Sequence, residues 1–269
     1  MKILFFGDIV GRLGLEAVAS LLPKLAQKYE ADFIIANGEN VSRGKGITER
    51  DYLDLIDAGV DCVTLGNHWN SKKQIEDYIE DADRLIRPLN LLNFDKGVGS
   101  AVFDCDGVSI RVTNLLGTAF MKEDVRVPYI ALREVLDHEE KADIHIVDYH
   151  AESTSEKQLF GHFFDGQVSA VIGTHTHVQT NDARIFPKGT GFLSDAGMCG
   201  ADDSIIGFNV EGAIEKMIYG KDNKLSLDED AKPVVCFVWM EFDDETGACH
   251  FIRPVQYIGG NEFYGEASI

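Results

Sequence analysis

Gly173-Thr174-His175-Thr176-His177 follows the apolar run of residues 168–172. Period-two spacing makes that run a buried strand, and the glycine lets the chain turn at its end. Two imidazoles at i and i+2 share a face on a strand, whereas on a sharp turn they splay and can serve two neighbouring metal ions. Alone, the pair reads equally as a loop dipeptide repeat or a single adventitious metal site. Four other segments change the balance, because each is an apolar strand running out into Asp, Glu, Asn or His. Residues 3–6 deliver Asp8, 33–36 deliver Glu39 and Asn40, 62–65 deliver Asn67 and His68, and 144–149 deliver His150. These are the oxygen and imidazole ligands that a two-metal hydrolase uses.

Between the early strands lie helical patterns. Leu15, Val18, Leu21, Leu22 and Leu25 keep helical spacing after Gly11 and Gly14. Thr48 with Asp51 forms a capping-box pattern for a helix closed by Gly59, and Ser71 with Gln74 reads as the cap of a helix carrying Ile75, Tyr78 and Ile79. Strand and helix in alternation imply right-handed crossovers and a parallel sheet. From Asn93 the pattern changes: residues 100–104 and 108–114 alternate around Asp106-Gly107, a hairpin signal. Residues 117–127 read as a loop or small flap, Pro128 opens a helix, and another helix lies near 155–163. The glycine-rich residues 195–200 read as a loop, and 234–242 with 249–258 form a second hairpin around 244–247. Parallel crossovers early and hairpins late predict a four-layer α/β/β/α sandwich, two mixed β-sheets flanked by helices. With no repeat or linker composition, the expectation is a single domain over 1–269, with a small hairpin or flap insertion near 93–130.

The chain of 269 residues has 45 acidic against 25 basic residues and a net charge of −20, which argues against a long nucleic-acid-binding surface. A bound phosphate must therefore be met locally, by metals or a few cations. Cys62, Cys105, Cys199, Cys236 and Cys249 lack metal-site spacing and read as reduced core residues of a cytoplasmic protein. The opening apolar run stops at Asp8, too short for a signal or a membrane span, and no later run reaches spanning length.

In order, the strand-end residues are Asp8, Glu39, Asn40, Asn67, His68, His150, His175 and His177. Singly each has a plainer reading: Asp8 or Glu39 as a helix cap, Asn67 in a turn, a His as a hydrogen-bonded structural residue. As an ordered set, coincidence accounts for them poorly. His138, His145, His162 and His250 lack that position and read as structural or surface residues. The order resembles that of the calcineurin-like metallophosphoesterases, whose strand-end motifs are Asp-x-His, Gly-Asp, Gly-Asn-His, a lone His and Gly-His-x-His. Here they stand as Gly7-Asp8-Ile9-Val10, Gly38-Glu39-Asn40, Gly66-Asn67-His68, His150 and Gly173-Thr174-His175-Thr176-His177. Val10 replaces the usual His ligand, Glu39 the bridging Asp, and Thr174 precedes the last pair. With Gly11-Arg12 following, that variant looks like the YmdB-type branch, bacterial phosphodiesterases of 2′,3′-cyclic nucleotides.

The resemblance implies a dinuclear metal site. Glu39 would bridge the ions, Asp8, Asn40 and His177 would complete one position, and Asn67, His150 and His175 the other. Iron or manganese is expected, with zinc also compatible with oxygen and imidazole ligands. Two ions roughly 3.5 to 4 Å apart would acidify a bridging water, and the hydroxide would attack phosphorus in line. His68 is implied as the general acid that protonates the departing ribose oxygen. Arg12, Arg43, Lys45 and Phe120 are candidates for phosphate or base contacts.

The expected activity is hydrolysis of 2′,3′-cyclic nucleotides to nucleoside monophosphates. Rivals are a phosphomonoesterase, a short-oligonucleotide nuclease, or a metal-containing regulatory protein that binds an RNA-processing partner. No membrane partner is expected, homo-oligomerisation is left open, and nothing in the sequence itself indicates the RNA-processing partner.

Overall fold

The computed structural model describes residues 1–262. In chain order the elements are β1 (Lys2–Phe6), β2 (Asp8–Ile9), α1 (Gly11–Tyr29), β3 (Phe33–Asn37), α2 (Glu49–Asp57), β4 (Cys62–Thr64), α3 (Ile75–Tyr78), β5 (Leu85–Ile86), β6 (Ser100–Cys105) and β7 (Val108–Leu116). There follow α4 (Pro128–His138), β8 (Ile144–His150), α5 (Thr154–Phe163), β9 (Ala170–Thr174), β10 (Arg184–Ile185), β11 (Gly191–Leu193), β12 (Met198–Ala201), α6 (Val210–Met217), β13 (Pro233–Phe242), β14 (Cys249–Ile258) and β15 (Asn261–Glu262).

The strands make two mixed sheets. The first runs β15-β14-β13-β1-β3-β4-β5, with β12 paired to β13 and β2, and the second runs β10-β11-β9-β8-β7-β6. In the first, β1, β3, β4 and β5 are parallel and β13 runs against β1; in the second, β7, β8, β9 and β11 are parallel. Alternation along β1 sorts its side chains between layers: Leu4 and Phe6 pack under Leu15, Val18 and Leu22 of α1, while Ile3 and Phe5 face Ile110, Ile146 and Ile172 of the other sheet. On the outer face of the second sheet, Val147, Tyr149 and Val171 pack against Leu132 of α4 and Phe160 of α5. The result is the four-layer α/β/β/α sandwich expected from the sequence. Because the parallel strands of both sheets end at one rim, their C-terminal residues meet there.

Two local expectations are corrected. Ser71 caps nothing, since α3 is a four-residue turn whose N-cap, Gln74, is helical and makes no side-chain capping bond. Part of the glycine-rich 195–200 segment is strand β12, held between β13 and β2. Pairing on both sides outweighs the low strand propensity of glycine there. The capping box at Thr48 and Asp51 and the hairpin over Asp106-Gly107 form as expected.

Candidate metal centre

At the rim, four ligand atoms converge. His150 Nε2 lies 3.0 Å from Asn67 Oδ1, 3.0 Å from His175 Nδ1 and 3.2 Å from Glu39 Oε1. The other nitrogen of each ring is committed elsewhere. His150 Nδ1 is 2.9 Å from Thr174 Oγ1, and that hydroxyl donates to Asp148 Oδ1 at 2.7 Å. Thr174 must therefore accept from Nδ1–H, which leaves the Nε2 lone pair aimed at the cluster. His175 Nε2 is 3.1 Å from Glu152 Oε2, which likewise leaves Nδ1 inward. The backbone makes room for this convergence at Gly66, where a Cβ would sit 2.4 Å from Glu39 Oε2 and 2.5 Å from His150 Nε2.

Beside it lies the second group. His177 Nε2 is 3.3 Å from Asn40 Oδ1; Asn40 Nδ2 donates to the Gly44 carbonyl at 2.9 Å, which turns the amide oxygen toward the ring. His177 Nδ1 is held at 3.1 Å from the Ile206 carbonyl. Asp8 is fully buried: Oδ2 accepts from His175 N at 3.1 Å, and Oδ1 has no hydrogen-bond partner. A buried carboxylate oxygen without a partner is costly. It marks a place where a cation fits, as does a cluster of lone pairs drawn from Glu39, Asn67, His150 and His175.

The turn carrying both histidines splays their rings, the alternative that a sharp turn opened in the sequence. His175 and His177 have φ of 103° and 66°, left-handed values that send the two rings to opposite groups. At Gly173 a Cβ would stand 1.8 Å from the Ser194 carbonyl, so only glycine fits. Asp195 braces the turn: its Oδ2 accepts from Thr176 N at 3.0 Å and from Lys157 Nζ at 2.9 Å, with both side chains of the ion pair 1% exposed.

Burial pushes the Asp8 carboxyl up, against the pull of His177 and His150. Glu39 is also desolvated, but His150 and His68 outweigh that and hold it below the usual carboxylate range. His150 is desolvated too, yet Glu39, Asp8 and Asp148 raise it. Burial lowers His175, helped by His150. Two buried carboxylates and a third behind them thus call for positive charge here.

Residues 4–255 match the family model of YmdB-like proteins. The chain belongs to the YmdB-like family. A 2′,3′-cyclic-nucleotide 2′-phosphodiesterase of Bacillus subtilis (strain 168) is 41% identical over 247 residues, covering 91% of this chain and 93% of that protein. A crystal structure described as a novel phosphatase of Mycoplasma pneumoniae superposes with a TM-score of 0.90 at 37% identity, covering 96% of this chain and 93% of that one. The calcineurin-like phosphoesterase YfkN of Bacillus subtilis, 13% identical, shares the fold with a TM-score of 0.51 over 96% of this chain and 90% of its own.

In this YmdB-like chain all seven expected ligands lie at the rim, in the two groups described. His68 lies next to them: its backbone N donates to Glu39 Oε2 at 2.8 Å, and burial lowers the pKa of its half-exposed ring. Trp69, which follows it, packs on Phe94 with ring centroids 4.3 Å apart and belongs to the core. Val10 sits in a small apolar cluster with Met198, Val234 and Cys236. Arg12 pairs with Glu16 on the surface, Arg43 and Lys45 are exposed, and Phe120 is 86% exposed. Sequence reading missed the braces Asp148, Lys157 and Asp195. Of the three only Asp148 carried a signal, a charged residue within the apolar stretch 144–149. Among the described residues no helix is long and apolar enough to cross a membrane.

Proposed function

We propose that this YmdB-like protein is a metal-dependent phosphodiesterase acting on nucleoside 2′,3′-cyclic phosphates. What carries the reading is the convergence of Glu39, Asn67, His150 and His175 beside Asp8, Asn40 and His177, in a chain so similar to the Bacillus subtilis enzyme of that name. Asp8, Asn40 and His177 would hold one ion and Asn67, His150 and His175 another, with a Glu39 oxygen for each. Oxygen and imidazole ligands without thiolate suit iron or manganese, then zinc. When bound, the ions supply charge neutralisation for the phosphate and lower the pKa of water.

The chain's own groups do the rest. His175 and His177, on one rigid turn, fix the spacing of the two ligand groups. His68 lies within this rim as the acid that hands a proton to the ribose oxygen as it leaves. The relative's name puts the broken bond at the 2′ oxygen, which leaves a 3′-phosphate on the product. Reduced cysteines, four of five buried, accord with a cytoplasmic protein.

Elemental analysis of the purified protein should find two transition-metal ions per chain. Turnover of 2′,3′-cyclic AMP should exceed that of 3′,5′-cyclic AMP and of an aryl phosphodiester. His68→Ala should keep both metals and lose about 10² to 10⁴ in kcat on 2′,3′-cyclic AMP. Metal-loaded protein inert toward every phosphodiester would overturn the reading in favour of a regulatory, partner-binding role.

A further inference from the structure

A groove of about 540 Å³ opens beside the metal centre, a size within the roughly 300–1,000 Å³ range of small-molecule sites. His177 belongs to both, since its Nε2 faces Asn40 and its ring also lines the groove. The apolar lining comes from Met198 of β12, Val234 of β13 and Pro254 of β14, and the polar lining includes Asn181, Asp202 and Gln256. No lysine or arginine is among the lining residues described. Asp202 is half-buried, and its carboxylate makes no hydrogen bond or ion pair among the described residues.

We infer that this groove holds the nucleoside half of the substrate and excludes a second phosphate on its 5′ carbon. The substrates are then free mononucleoside 2′,3′-cyclic phosphates, not RNA chains that end in a cyclic phosphate. This rests on the phosphodiesterase reading above. The apolar lining suits the face of a base, and the amides of Asn181 and Gln256 each offer a hydrogen-bond donor and an acceptor for its edge. Asp202 can only accept, so it can receive a hydrogen bond from a 5′-hydroxyl but repels a 5′-phosphate carrying about −1.5 to −2 charges. The ions of the metal centre would neutralise one phosphate, and nothing lining the groove would neutralise another. The reaction that supplies such a substrate is transesterification of RNA by the ribose 2′-OH. Each such cut leaves a 5′-hydroxyl on the following nucleotide, so a nucleotide released by cuts on both sides carries the free 5′-OH that the groove accepts.

The test measures kcat/KM of the metal-loaded protein for adenosine 2′,3′-cyclic phosphate and for the same compound bearing a 5′-phosphate, in the parent chain and in Asp202→Lys. The parent should favour the free 5′-hydroxyl by at least about tenfold, through KM, and Asp202→Lys should narrow that ratio by about tenfold. In metal-free protein, titration should show adenosine binding more tightly than adenosine 5′-phosphate, with the order weakened in Asp202→Lys. Equal use of the two cyclic substrates by the parent, or a preference that Asp202→Lys leaves untouched, overturns the inference while leaving the phosphodiesterase reading intact. Absence of turnover on both overturns that reading itself.

Discussion

Thr174 stands between His150 of the candidate metal centre and a buried acid. Its hydroxyl accepts from His150 Nδ1 and donates to Asp148, whose other oxygen takes Asn37 Nδ2 at 3.0 Å and Thr64 Oγ1 at 2.5 Å. The chain of bonds fixes both the tautomer and the ring plane of His150. Thr174→Val keeps the shape and removes the hydroxyl, so it should weaken metal binding at the Glu39–Asn67–His150–His175 group by about 10- to 100-fold while sparing the Asp8–Asn40–His177 group. Thr174→Ser should restore it. Competitive chelator titration that resolves the two ions is the measurement, and an affinity unchanged in Thr174→Val would remove the hydroxyl from any positioning role.

Elements explain what the sequence could and could not reveal. The rim position of the proposed ligands was legible because each follows an apolar strand, and parallel strands must end at one rim. Their supports were not, because they arise from register between elements. His150 is paired with Thr174 across β8 and β9, and Asn37 with Thr64 across β3 and β4, and the two pairs meet Asp148 only once the sheets face each other. Helix α6 was invisible for a different reason: its Ile214 and Met217 are exposed, so no inward apolar stripe marks it. Lys157 is a support of the register kind, carried by α5 to Asp195 beneath the histidine turn. Lys157→Met would leave Asp195 buried and unpaired, and should cost about 3–5 kcal/mol in chemical denaturation. Adding Asp195→Asn should return part of that, since the amide is neutral and its single oxygen can keep one of the two backbone bonds, from Thr176 N or from Gly197 N. A single variant as stable as the parent would mean that the pair carries no strain-bearing role at the turn.

Across the whole molecule, the rim of the candidate site and the opposite end of the sheets carry different chemistry. The far end holds a small cavity of about 110 Å³ near the start of β8, lined in part by His145 and Arg111. His145 is nearly fully buried, its Nε2 is 2.9 Å from Thr113 Oγ1, and burial, reinforced by the Arg111 charge, pulls its pKa down to about 3. In the unfolded chain the same ring titrates near its ordinary value of 6.5. Below that value the unfolded state binds a proton that the folded state refuses, so acid favours unfolding. The stability contributed is complete above pH 6.5 and is lost as pH falls from there toward 3, by about 1.4 kcal/mol for each pH unit. Replacing the ring with a neutral amide, His145→Gln, removes this one titration and leaves those of the rim residues in place. Unfolding free energies measured from pH 7 down to pH 4.5 should therefore fall less steeply in His145→Gln than in the parent, with the two curves converging as the pH drops. Curves that stay parallel throughout would show that His145 titrates alike in both states.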